Sequence, residues 1–167
     1  PTGIAIFSGP FIVMHLFRLL LPVDTHTKAQ SIRRMVRHEL EAMSRRFGSM
    51  SFRQWETWHA RLYLRILRLA HLQHLSGKPL KDIAAEGMSW FDLSDSIATL
   101  HGIARDSGAD PRLARAAGLS LRRLARLGPQ THEAAGRALT RVIQRLPDDT
   151  DGKATMVRAA DYLARRA

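Results

Sequence analysis

Residues 27–47, TKAQSIRRMVRHELEAMSRRF, decide the fold. Ala29, Ile32, Val36, Leu40, Met43 and Phe47 recur at three- and four-residue spacing, which lines them up on one face of a helix. Thr27 with Gln30 has the form of a capping box at the start, and Gly48 ends the run. A second helix follows almost at once. Ser51 with Gln54 caps it, and its stripe is Phe52, Trp55, His59, Leu62, Ile66 and Leu69, widened by Trp58 and Leu72. Arg61, Arg65 and Arg68 fall towards the other side. Two amphipathic helices joined by so short a link lie antiparallel, as a long helical hairpin.

Downstream the pattern stays helical, giving roughly five or six helices in all and no strand. Ser76-Gly77-Lys78-Pro79 is a turn, with Pro79 placed to start a helix that runs to about Arg105. Its apolar positions are read as Leu80, Ile83, Ala84, Gly87, Met88, Phe91, Ile97, Leu100 and Ile103, with Gly87 marking a close crossing or a bend. Asp110-Pro111 opens a section of shorter helices, broken at Gly128-Pro129 and again at 147–152. The expected fold is all-α, a helical bundle built on the long antiparallel hairpin.

Upstream, residues 4–21 contain only His15 and Arg18 as ionisable groups, both near the C-terminal end of the run. Roughly 20 apolar residues cross a bilayer, so this stretch reads as the end of a membrane helix, the other reading being a buried N-terminal core helix. Pro10 is better tolerated in such a helix than in a soluble one. A signal peptide would carry its basic residues first and a small-residue cleavage site last, and here the order is reversed. Arg18, Lys28, Arg33, Arg34 and Arg37 all follow the run. By the positive-inside rule they place its C-terminal side in the cytoplasm, as a basic face for anionic headgroups. The expected division is 1–21, the end of a transmembrane helix, then 22–167, a cytoplasmic helical domain with hairpin and long helix to about 107 and shorter helices over 110–167. With Pro1 in first place, the chain reads as the C-terminal piece of a longer protein.

The 167 residues suit one domain with a real core. There is no cysteine, which removes disulfides and thiolate metal sites. Lys plus Arg number 26 against 15 Asp plus Glu, a net charge of +11. Such a surplus suits phosphates, on nucleic acid or on a membrane surface, or else simply solvated arginine-rich helix faces.

No motif carries reaction chemistry. Neither G-x-S-x-G, a P-loop nor a dinucleotide fingerprint is present, and no enzyme activity or cofactor is expected. His71 and His74 share a helix face, with His59 three turns upstream, but the segment around them holds no acid and HExxH is absent, so no metal is assigned. Asp92 and Asp95 are read as acids on a solvated face. The alternative function is DNA binding through 112–127, RLARAAGLSLRRLARL. There Ala114, Gly118, Leu124 and Leu127 match the small residue, turn and core positions of a helix-turn-helix. Ser120, Arg122, Arg123 and Arg126 would then reach the duplex. The other reading of this stretch is one amphipathic helix, or two short ones, and nucleic acid is not the preferred partner.

Three stretches resemble the C-terminal part of fusaric acid resistance (FUSC) family proteins, the aromatic acid exporters of bacterial inner membranes. FIVMHLFRLLLP leads into SIRRMVRHELEAMSRR as the family's last span leads into its cytoplasmic domain. WETWHARLYLRIL, with Trp58, Arg61 and Arg65, is similar to the family's W-x-x-R-x-x-x-R-L pattern. The helix around 87–93 stands where the family has a small-residue helix ending in Leu-Arg, although here Leu93-Ser94-Asp95 follows. The resemblance covers about 11–105. It implies an assembly, gating or regulatory domain of an inner-membrane efflux transporter for aromatic or related organic acids. The implied partners are the remaining transmembrane part of the same chain, anionic lipid headgroups and further copies in a homo-oligomer.

Overall fold

A computed structural model describes residues 24–46, 49, 51–128 and 130–166. The membrane-helix reading of 4–21, with Arg18, lies outside the described residues, as do Phe47 and Gly48. Within them the chain is all-helical: α1 Thr25–Arg46, α2 Phe52–Leu75, α3 Leu80–Arg105, α4 Pro111–Leu124, α5 His132–Ile143 and α6 Lys153–Ala164. No described helix is long and apolar enough to cross a membrane.

The hairpin forms as its stripes require. Ala29, Ile32, Val36, Leu40 and Met43 of α1 are buried against Leu62, Ile66, Leu69 and Leu72 of α2. The start of α1 differs from the expected Thr27 box. Asp24 accepts the backbone N–H groups of His26 and Thr27, so its carboxylate satisfies the orphan donors of the first turn, and Thr27 donates its hydroxyl to the same side chain. The Ser51–Gln54 box on α2 is present in both directions. Gly77 turns the chain into α3 with φ of 80°, a backbone that suits glycine.

α3 is the organising element, packing on α1, α2, α4 and α6. Its approach to α2 is close at Gly87, where an added Cβ would sit 3.2 Å from the Ile66 side chain. Its buried residues match the stripe read from sequence at Ile83, Ile97 and Leu100 and differ elsewhere. Leu80 and Met88 stand 68% and 60% exposed and Ala84 is exposed, whereas Trp90 and Leu93 are buried. A helix flanked on several sides has no single apolar face, so periodicity alone could not select the right row. The second half returns over α3. Asp110 caps α4 with Pro111 in its first turn, α5 packs on α4, and α6 packs on α5 and α3. Gly152, with φ of 83°, opens α6 where a Cβ would come within 3.0 Å of the Thr99 hydroxyl. One continuous apolar core joins all six helices. His101 of α3 adds a polar tie at its edge, with Nε2 3.1 Å from the Ser44 carbonyl of α1.

Candidate functional site

Ile83, Glu86, Trp90, Leu93, Ile97 and Leu100 follow one another at three- and four-residue spacing on α3, and all are buried. Glu86 interrupts an otherwise apolar row. An unpaired carboxylate there would cost several kcal/mol, and this one is surrounded by donors. Arg33 of α1 donates Nε to Oε1 at 2.8 Å and Nη2 to Oε2 at 3.2 Å. Gln73 Nε2 and Lys78 Nζ both donate to Oε2, at 2.7 and 2.8 Å. Arg166 Nη2 lies 3.3 Å from Oε1. Burial acting alone would raise the pKa, but the hydrogen bonds from Arg33, Lys78 and Gln73 outweigh it and hold the carboxyl at about 2.

The centre therefore joins α1, the end of α2, the following turn, α3 and the residues after α6. Tyr162 of α6 extends it, edge-on to Trp90 with ring centroids 5.5 Å apart, while the Arg166 guanidinium stands 5.1 Å from the Tyr162 ring. Burial pushes the Tyr162 phenol up to about 12. A second tie joins the same helices. Arg158 donates Nη2 to Asp92 Oδ1 at 2.8 Å and Nε to Oδ2 at 3.0 Å. Asp92 is thus a buried ion-pair partner rather than an acid on a solvated face, and only Asp95 is exposed. A carboxylate held as far below neutrality as that of Glu86 is a poor proton acceptor. The work of Glu86 and Asp92 is to fix the bundle.

The basic face read from sequence divides in two. Lys28 and Arg34 are exposed, whereas Arg33 is committed to Glu86 and Arg37 is half-buried. The family-like residues divide as well. Trp58 packs half-buried against the core, Arg61 is exposed, and Arg65 forms an ion pair with Glu39 of α1. Burial raises the Glu39 pKa, partly offset by Arg65. His59 lies between the Trp55 and Phe91 rings, at centroid distances of 5.3 and 5.9 Å, and His71 and His74 are exposed. Among the described residues no three His, Asp or Glu are grouped to hold a metal ion.

The helix-turn-helix alternative is not realised. α4 runs unbroken from Pro111 to Leu124 with Gly118 inside it, so no turn separates two helices there. Ser120 is fully buried and donates to the Ala116 carbonyl, out of reach of a duplex. Arg122, Arg123 and Arg126 are exposed on one amphipathic segment.

No other described element covers the outer side of α2. Leu64 is 63% and Leu75 59% exposed, Leu67 is exposed between them, and Ala60, Arg61, Arg68, His71 and His74 are exposed alongside. From residue 57 to its end the helix contains no acid. An apolar row edged by arginine, without carboxylates, has the composition of a surface that meets an anionic apolar boundary.

Fold and surface together describe, over the described residues, an arginine-rich helical domain with a structural ionic centre and an exposed amphipathic face on α2. The model of the fusaric acid resistance protein family matches residues 1–167, and the chain belongs to that family. It is a family of membrane efflux and transport-related proteins. Comparisons with curated proteins and with solved structures find no match. Sequence reasoning missed Glu86, Asp92 and Arg158 as structural groups. The signal for Glu86 was there, a single acid at the helical spacing of Ile83, Trp90 and Leu93.

Proposed function

We propose that this chain supplies the cytoplasmic domain of an inner-membrane efflux transporter for aromatic or related organic acids. It acts in assembly, gating or regulation, and not as an enzyme. The observation that carries this reading is the exposed apolar face of α2, which no other described element covers, in a chain of a membrane efflux family. Fully burying one leucine contributes about 1.5–3 kcal/mol, against about 1 kcal/mol for an arginine near anionic headgroups. Leu64, Leu67 and Leu75 therefore dominate, and Arg61 and Arg68 orient the face towards the bilayer. Lys28 and Arg34 add charge at the start of α1. Glu86 and its partners keep the hairpin locked to α3 and α6, so a movement of α1 is passed to the whole bundle. The remaining transmembrane part of the transporter and further copies of the chain are its expected partners.

The 167 residues contain no cysteine, so sidedness is directly testable in a transporter freed of any cysteine outside them. A single cysteine at exposed Arg53, Asp82 or Ala154, in the transporter expressed in a bacterium, should resist an impermeant maleimide in spheroplasts. It should react once the membrane is opened. Labelling of intact spheroplasts would place the domain on the opposite side and overturn the reading.

A further inference from the structure

α4 and α5 meet along a groove of about 300 Å³. Arg112, Arg115, Arg141 and Arg145 line it around a floor of Ala116, Leu119 and Ala138, and no acid contributes. Helical register forces this convergence. Ala117, Leu121 and Leu124 turn one side of α4 into the core, and Ala135, Leu139 and Val142 do the same for α5. The arginines are left facing one another along the open side.

Several arginines elsewhere on the bundle meet carboxylates. Arg33 and Arg166 share Glu86, Arg65 meets Glu39, Arg137 meets Glu133 and Arg158 meets Asp92. In the groove Arg112, Arg115 and Arg141 form no ion pair with any described residue, and Arg145 donates Nη1 to the Arg141 carbonyl. Like charges gathered over a concavity repel one another and concentrate a positive field there. An anion relieves both effects. The guanidinium fork matches carboxylate and phosphate oxygens, while exposed Leu119 and the two alanines suit a compact apolar body beside the charge.

We infer that this groove binds an organic anion, a phosphate or carboxylate group carrying a small apolar substituent. The site stands independently of the membrane-facing surface of α2. An anion of this chemistry can come from solution or from a lipid headgroup, and separate probes distinguish the two. Thermal unfolding of the full chain in neutral detergent is followed with phenyl phosphate, with dihexanoylphosphatidylglycerol below its micelle concentration, and with sodium chloride at matched ionic strength.

Phenyl phosphate or the short lipid should raise the midpoint beyond the salt control. Arg115→Gln/Arg141→Gln should weaken the apparent affinity at least about tenfold, as the loss of two charge-assisted bonds requires. Arg46→Gln/Arg53→Gln, which removes the same charge elsewhere, should bind like wild type. A rise with phenyl phosphate assigns the groove to a free anion, and one with the lipid alone to a headgroup; either upholds the site. No rise beyond salt with either probe, or a rise that the groove variant keeps, overturns it.

Discussion

Glu86 shows how one residue can be chemically conspicuous and mechanistically structural. Its side chain is 4% exposed, yet four donor side chains reach it from α1, the end of α2, the following turn and the residues after α6. A carboxyl lowered from 4.5 to about 2 contributes stability that is complete above pH 4.5 and is lost as pH falls towards 2. The shift corresponds to about 3 kcal/mol at neutral pH. Glu86→Gln should therefore cost roughly 2–3 kcal/mol in urea unfolding at pH 7, and its deficit relative to wild type should shrink as pH approaches 2. Arg33→Gln should destabilise as well, because it strips the bidentate partner, whereas exposed Arg34→Gln should change stability by less than about 0.5 kcal/mol. Equal effects at Arg33 and Arg34 would mean that both serve the surface and neither serves the centre. From sequence the two look alike, adjacent arginines behind an apolar run; only the partner 53 positions away separates them.

At the scale of elements, legibility followed the number of neighbours. α1 and the second half of α2 each bury one stripe, and Ala29, Ile32, Val36, Leu40, Met43, Leu62, Ile66 and Leu69 could be read from spacing alone. The ends of α3, the turn at Gly77 and the Asp110-Pro111 start of α4 were legible because glycine, proline and capping acids act locally. The core row of α3 was legible only in part: Ile83, Ile97 and Leu100 are buried as read, but four helices surround it and tertiary packing chose Trp90 and Leu93 over Leu80 and Met88. Gly118 is the sharpest case. As a turn it would favour glycine, but it lies inside continuous α4, where an added Cβ would meet nothing within 4 Å, and so it is a weak point of an ordinary helix. Gly118→Ala should then stabilise the chain by up to about 1 kcal/mol, read as a higher thermal midpoint. A lower midpoint would restore a turn at that position.

For the whole molecule, the fold, the family and the arginine surplus are three views of one chemistry. A bundle with a net charge of +11 keeps several arginines on carboxylates and leaves others on the outside of α2 and along the α4–α5 groove. What sequence could not give was this partition, since the pairs made by Arg33, Arg65 and Arg158 join residues far apart in the chain. The central claim is that the outer face of α2 lies on an anionic bilayer. It is tested most directly with an environment-sensitive fluorophore on Leu64→Cys or Leu67→Cys in the full chain, reconstituted with phosphatidylglycerol and compared with Asp82→Cys. Expected are a blue shift and quenching by brominated acyl chains at 64 and 67, with aqueous emission at 82. Aqueous emission at all three positions would contradict the claim, and so would a blue shift without bromine quenching, which would put protein rather than lipid on that face.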